Sequence, residues 1–150
     1  MRVTIQRVSE ASVTIEGKVK AQIGKGLLVL AGFEAEDAAD DLQWMSSKLV
    51  NLRIFSDANG QMNLSVKEVE GDIIIVSQFT LHALTKKGNR PSFIRAARPE
   101  QAIPLYEQFV MLVEAELGKP VGTGEFGADM KVALLNDGPV TINIDSKNKE

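Results

Sequence analysis

Residues 72–81 read Asp72-Ile73-Ile74-Ile75-Val76-Ser77-Gln78-Phe79-Thr80-Leu81. Four consecutive β-branched residues make a strand that is apolar on both faces. The stretch then turns polar at Ser77, Gln78 and Thr80. Rigid scaffolds present polar groups to ligands at such strand ends. Hydroxyls, an amide and freed backbone N–H groups there can polarise a carbonyl or hold an oxyanion. The plain alternative is that Ser77 and Thr80 satisfy their own backbone where the strand leaves the sheet. Taken alone, the residues favour that alternative.

The rest of the chain is read outward from this strand. Residues 2–8 and 11–15 alternate apolar and polar, Glu16-Gly17 turns, and 19–23 returns, which predicts a hairpin. Gly24-Lys25-Gly26 is a second turn, and 27–33 is another buried strand. Asp37 is placed to cap a helix, and Leu42, Met45 and Leu49 share one face of it. A short strand over 52–55 and a loop over 56–60 follow. Residues 81–98 are polar and loop-like. Residues 99–117 predict a helix with the stripe Ala102, Leu105, Phe109, Leu112, Val113 and Leu117. Pro104 is tolerable there only near the first turn. Gly118 and Pro120 end that helix. Strands over 130–135 and 140–144 close the chain, and 146–150 is a polar tail expected to fray. This is one α/β domain over 1–150. Strict βα alternation is absent, which argues against a Rossmann sheet.

Composition narrows the chemistry. The chain has 150 residues, 44% apolar and 25% charged, the profile of a soluble globular protein. It has no cysteine and one histidine, His82. That excludes a disulfide framework, a thiolate nucleophile and a Cys-based zinc site. One histidine cannot build a multi-His metal centre within a chain, and any histidine mechanism must use His82. The acidic residues Glu34, Glu36, Asp37, Asp40 and Asp41 read as a solvated helix start, so no metal and no cofactor is expected. The net charge of −3 excludes a basic nucleic-acid coat. The N-terminal stretch lacks a signal-peptide apolar block, and no apolar run approaches the roughly 20 residues of a membrane helix. A cytoplasmic protein without membrane association is expected.

Three further segments carry candidate chemistry. No acidic residue lies between Asp72 and Glu100, while Lys86, Lys87, Arg90, Arg95 and Arg98 do. Lys86, Lys87 and Arg90 are phosphate-contact candidates, against the plain reading of a solvated loop. Asn136-Asp137-Gly138-Pro139-Val140-Thr141 reads first as a turn between strands, with a trans Gly-Pro bond by default. Residues 122–130 lack the dinucleotide-binding glycine spacing. Phe126 there is a possible stacking platform for a base, with Met130 completing an apolar slot. Ordinary core packing is the plain reading of both.

Taken together, Ser77-Gln78-Phe79-Thr80-Leu81 and Asn136-Asp137-Gly138-Pro139-Val140-Thr141 resemble the two signature motifs of the D-aminoacyl-tRNA deacylases. The resemblance runs from Met1-Arg2 to Ile144. It includes the Lys87-Gly88-Asn89-Arg90-Pro91-Ser92-Phe93 loop and the 123–128 segment. It implies layered, mostly antiparallel, barrel-like sheets with two helices packed on one side. It implies an enzyme that hydrolyses the ester between a D-amino acid and the terminal ribose of tRNA, and that also removes glycine from mischarged tRNA. The family is a homodimer with active sites at the subunit interface. The resemblance implies that Gly138-Pro139 would be cis there, would enter the partner's pocket and would exclude L side chains. Ser77, Gln78, Phe79 and Thr80 would form the catalytic strand end, and Phe126 and Met130 would flank the terminal adenine. The mechanism so implied is attack by water helped by the substrate's 2′-hydroxyl, because no general base adjoins Thr80 in sequence. The partner is aminoacyl-tRNA and not DNA. The alternative from another class is a non-catalytic RNA-binding module using Phe126 and the basic loop. A metal-dependent hydrolase is disfavoured by the scarcity of ligands.

Overall fold

A computed structural model describes residues 1–150. Along the chain come β1 (Arg2–Ile15), β2 (Lys18–Ile23), β3 (Gly26–Gly32), α1 (Ala39–Asn51), β4 (Phe55–Ser56), β5 (Met62–Leu64) and β6 (Asp72–Ser77). A 3-10 turn (Phe79–His82), α2 (Pro99–Leu117), β7 (Gly122–Thr123) and β8 (Met130–Asp145) complete it. The main sheet has the order β2-β1-β3-β6-β7, and β8 also pairs with β1. β1 is antiparallel to β2, β3 and β8, whereas β6 is parallel to β3 and β7. The two ends of the sheet approach each other: a Cβ on Gly122 would lie 3.1 Å from the Ala21 Cβ. The mixed sheet therefore nearly closes into a barrel.

The apolar run of β6 now has a physical account. Ile73 and Ile75 belong to the larger core, packed with Leu42, Met45 and Leu49 of α1 and Phe109 and Val113 of α2. Ile74 and Val76 belong to a smaller core with Val8, Val13 and Leu28. A strand covered on both faces has no polar alternation to show. Fully burying each such side chain stabilises the fold by about 1.5–3 kcal/mol.

Several local expectations are corrected. Residues 2–8 and 11–15 form one strand, and so do 130–135 and 140–144. The segment 136–141 is therefore no chain reversal but a bulge within β8. It opposes shifts in register at Gln6/Val8 and Val8/Glu10 of β1. The short strand lies at Phe55–Ser56 and pairs with Met62–Leu64 rather than covering 52–55. Pro104 lies inside α2. The carbonyl its N–H would have bonded is that of Glu100, an exposed residue. Asp37 does not cap α1. Its carboxylate accepts from the Met1 ammonium at 2.5 Å and the Glu34 N–H at 2.7 Å, and Asp41 accepts from the Ala38 N–H instead.

The tail, expected to fray, makes several contacts. The Ser146 N–H donates to Met1 O, Lys147 pairs with Asp41 at 2.8 Å, and Lys149 lies over the Trp44 ring. Burial pushes the Asp41 carboxyl up. Hydrogen bonds from Lys147, the Ala38 N–H and Ser146 more than offset this, and its pKa falls from 3.8 to about 2. A carboxylate lowered on folding contributes stability above its unfolded value and loses it as pH falls through the folded one. Lys147→Ala should therefore lower Tm at neutral pH, and the difference from wild type should shrink as pH drops from about 4 to 2 in thermal melts.

Candidate active site

The site begins where β6 ends. The Gln78 N–H donates to Ala31 O at 2.8 Å, so the strand stays in register with β3 up to that residue. The chain then tightens into the 3-10 turn. Gly32 makes this possible: a Cβ there would stand 2.7 Å from Gln78 O and 3.2 Å from the Leu81 Cβ. Phe79 and Thr80 are the first residues of the turn, so their N–H groups have no acceptor within it.

A cavity of about 340 Å³ opens beside this strand end. Ser77, Gln78 and Phe79 line one side of it, and Phe126 and Met130 line it as well. Two segments about 50 positions apart in sequence thus meet at one cavity. Phe126 is half-buried and tilted against Tyr106, with ring centroids 6.4 Å apart. A side chain at Gly124 would collide with the Met130 Sδ, so the glycine admits the methionine into the wall. The only ionisable side chain lining the cavity is Asp129, which is exposed and paired with Lys131 at 3.0 Å. No nucleophile–base pair faces the cavity.

Thr80 stands apart from this lining. Its Oγ1 accepts from the Gln78 side-chain amide at 2.7 Å. Thr80 lines a second cavity of about 760 Å³ with Arg2, Thr4, Trp44 and Ile142. Lys86, Lys87 and Arg90 are exposed on a loop closed by the Leu84–Ser92 bridge, and they line neither of these cavities. The base of that loop is tied to the site, because Phe93 meets Phe79 edge-on at 5.1 Å.

Gly138-Pro139 is cis, exposed, and lines neither cavity of its own chain. Its bulge is held by side chains. Arg7 Nε donates to Asp137 O at 2.8 Å, and Arg7 Nη1 to Ile54 O at 2.7 Å. The Val140 N–H donates to Asn136 Oδ1 at 2.9 Å. Sequence reasoning did not find Arg7, which precedes its partner by 130 positions. The alternation of β1 placed it on a polar face, but nothing local told what that face meets.

Comparison with known proteins follows the same lines. The family model described as D-Tyr-tRNA(Tyr) deacylase matches residues 4–145. A D-aminoacyl-tRNA deacylase of Flavobacterium psychrophilum is 67% identical, and one of Bacteroides fragilis 65% identical, each over the full length of both chains. The solved structure of a c-Myc DNA Unwinding Element Binding Protein superposes with a TM-score of 0.90 at 41% identity, covering 97% of this chain and 98% of that one. A second, described as a probable eukaryotic D-amino acid tRNA deacylase, gives a TM-score of 0.82 at 22% identity over 95% and 97% of the two chains, a likeness of fold. No helix is long and apolar enough to cross a membrane. With both signature segments in place along a full-length match, the chain belongs to the D-Tyr-tRNA(Tyr) deacylase family and is an enzyme of that class.

Proposed function

We propose that this chain hydrolyses the ester between a D-amino acid, or glycine, and the 3′-terminal ribose of tRNA, and so proofreads chirality in translation. The observation that carries this reading is the cavity of about 340 Å³, where the Ser77–Phe79 strand end meets Phe126 and Met130. Its volume and mainly apolar lining suit a terminal adenosine, with Phe126 and Met130 against the base. The ester carbonyl then rests at the strand end. The free N–H groups of Phe79 and Thr80 stabilise the oxyanion, each such donor contributing roughly 3–4 kcal/mol in other enzymes. Lys86, Lys87 and Arg90 hold phosphates of the acceptor end from the loop beside Phe93. The site works in the cytoplasm, where aminoacyl-tRNA is used.

A second copy of the chain completes the site in this reading. Gly138-Pro139 is exposed and does not reach its own cavity, which leaves it free to enter a partner's. The sixteen residues of β8 support the same idea: none is buried, although Met130, Val132 and Leu134 pack against the smaller core and Val140, Ile142 and Ile144 against the larger one. The backbone carbonyls of Gly138 and Pro139 hold the substrate α-ammonium and leave no room for an L side chain. Sedimentation at micromolar concentration should give a dimer, and a monomer would remove this arrangement.

Water is the nucleophile. Thr80 has no base beside it, and its Oγ1 already accepts from Gln78. Thr80→Ala is therefore expected to keep most of the rate. A loss on the order of a million-fold, the cost of removing a true nucleophile in other hydrolases, would show that Thr80 attacks. Incubation with D-Tyr-tRNA and L-Tyr-tRNA tests the whole reading. Selective release of D-tyrosine is expected, and binding without release would identify an RNA-binding module instead.

A further inference from the structure

The only histidine of the chain lines neither of the two cavities, yet it is the last residue of the 3-10 turn that borders them. His82 is fully buried, and neither ring nitrogen has a hydrogen-bond partner. A buried polar group left this way calls for a role. Its Nδ1 lies 3.5 Å from Glu34 Oε1, and the same oxygen takes Arg95 Nη2 at 2.6 Å. Glu34 follows β3 and is bridged to Ala96, and the Ala97 N–H donates to Phe33 O at 2.8 Å. The ring packs on the bare face of Gly32, where a Cβ would stand 3.1 Å from its Cδ2. From β1, Arg2 Nη1 donates to Leu81 O at 3.1 Å. The turn has two internal bonds, Leu81 N–H to Gln78 O at 3.4 Å and Ala83 N–H to Thr80 O at 3.1 Å, so the Arg2 anchor and the packing of His82 on Gly32 add to a short ladder.

We propose that His82 is a positioning residue for the deacylation: with Glu34 and Arg95 it sets the turn that carries Phe79 and Thr80. The inference rests on the reading that the reacting ester lies at this turn. Glu34 is the shared element. With a neutral imidazole, its carboxylate belongs to Arg95. A protonated ring draws the same oxygen toward itself, competes with Arg95, and pulls the turn toward β3. Burial pushes the His82 imidazole below its ordinary value of 6.5; the Gly32 backbone and Glu34 oppose this, and Arg2 and the Met1 ammonium reinforce it. The neutral ring is thus the working state, and positioning is lost on the acid side.

A chain with one histidine lets the ring be followed by NMR as a single titration. The wild-type kcat on D-Tyr-tRNA should fall at the pH where that ring titrates, with KM unchanged. His82→Gln should keep kcat near wild type at neutral pH and lose this acid limb. His82→Ala should lower kcat on the order of tenfold, within the loss that slight misplacement of reacting groups causes. KM should hold, and amide exchange at Leu81 and Ala83 should quicken. An unchanged acid limb in His82→Gln overturns the proposal, even if the alanine variant fails to fold. So does wild-type kcat with unchanged exchange in His82→Ala. Quickened exchange with unchanged kcat overturns instead the placement of the ester at this turn, and the positioning role with it.

Discussion

A D-aminoacyl-tRNA whose terminal ribose lacks the 2′-hydroxyl should be hydrolysed about 100- to 10,000-fold more slowly than the natural substrate, the range for loss of a general acid–base group. Binding should hardly change. The reason lies in what faces the cavity. Asp129 is its only ionisable lining group, and it is exposed and engaged by Lys131. His82 is buried and lines neither cavity, and Thr80 lacks a base. A water attacking the ester needs a group to orient it and take its proton, and the vicinal hydroxyl of the substrate is within reach of that carbonyl. Single-turnover rates with natural and 2′-deoxy-terminated tRNA at saturating enzyme measure the effect. Equal rates would mean that a protein group activates the water.

Gly138→Ala should cost about 100-fold in the rate on D-Tyr-tRNA, the effect of misplacing a substrate-holding group by about 1 Å. It should also narrow the ratio between D- and L-substrates. Gly138 has φ +147, where side chains are strained, and a Cβ there would lie 2.8 Å from Val140 Cγ2, 2.9 Å from the Val140 N and 3.0 Å from Arg7 Nη2. The Val140 N is backbone, tied to Asn136, and Arg7 is held at both ends by carbonyls. Neither can yield without moving residues 137–140, so the methyl displaces the carbonyls that we propose hold the α-ammonium. Backbone strain of this kind costs about 1–3 kcal/mol, little enough for the variant to fold. Parallel single-turnover assays on the two aminoacyl-tRNAs, with sedimentation to verify assembly, decide it. An unchanged D-to-L ratio in a well-assembled variant would take Gly138 out of the selection step.

Much of this was legible in the residues. Ile73-Ile74-Ile75-Val76 announced a strand covered on both faces because burial removes the need for polar alternation. Pro99 and Gly118 bounded α2 because proline suits the first helical position and glycine the left-handed exit, and the helix runs from Pro99 to Leu117. The two signature segments pointed to the family, and the structure brings Ser77, Gln78 and Phe79 into one cavity with Phe126 and Met130. Tyr106 was missing from the expected stripe. It is buried and donates to Ile75 O at 2.7 Å, a partner no helical periodicity identifies.

What the chain determined by itself was whatever depends on neighbours in sequence: helix limits, strand burial, and a catalytic repertoire without cysteine and with one histidine. What only the tertiary structure decided depends on groups far apart along the chain. Asp37 looked like a cap, but the Met1 ammonium takes its carboxylate. The tail looked free, but Asp41 and Trp44 hold it. Residues 136–141 looked like a turn, but pairing with β1 on either side makes them a bulge braced by Arg7. Thr80 follows the strand-end cluster in sequence, and the 3-10 turn also sets it on the wall of the other cavity. In each case local propensity allows several outcomes of similar energy. The choice among them is made by a hydrogen bond, ion pair or strand register that exists only once distant segments have packed together.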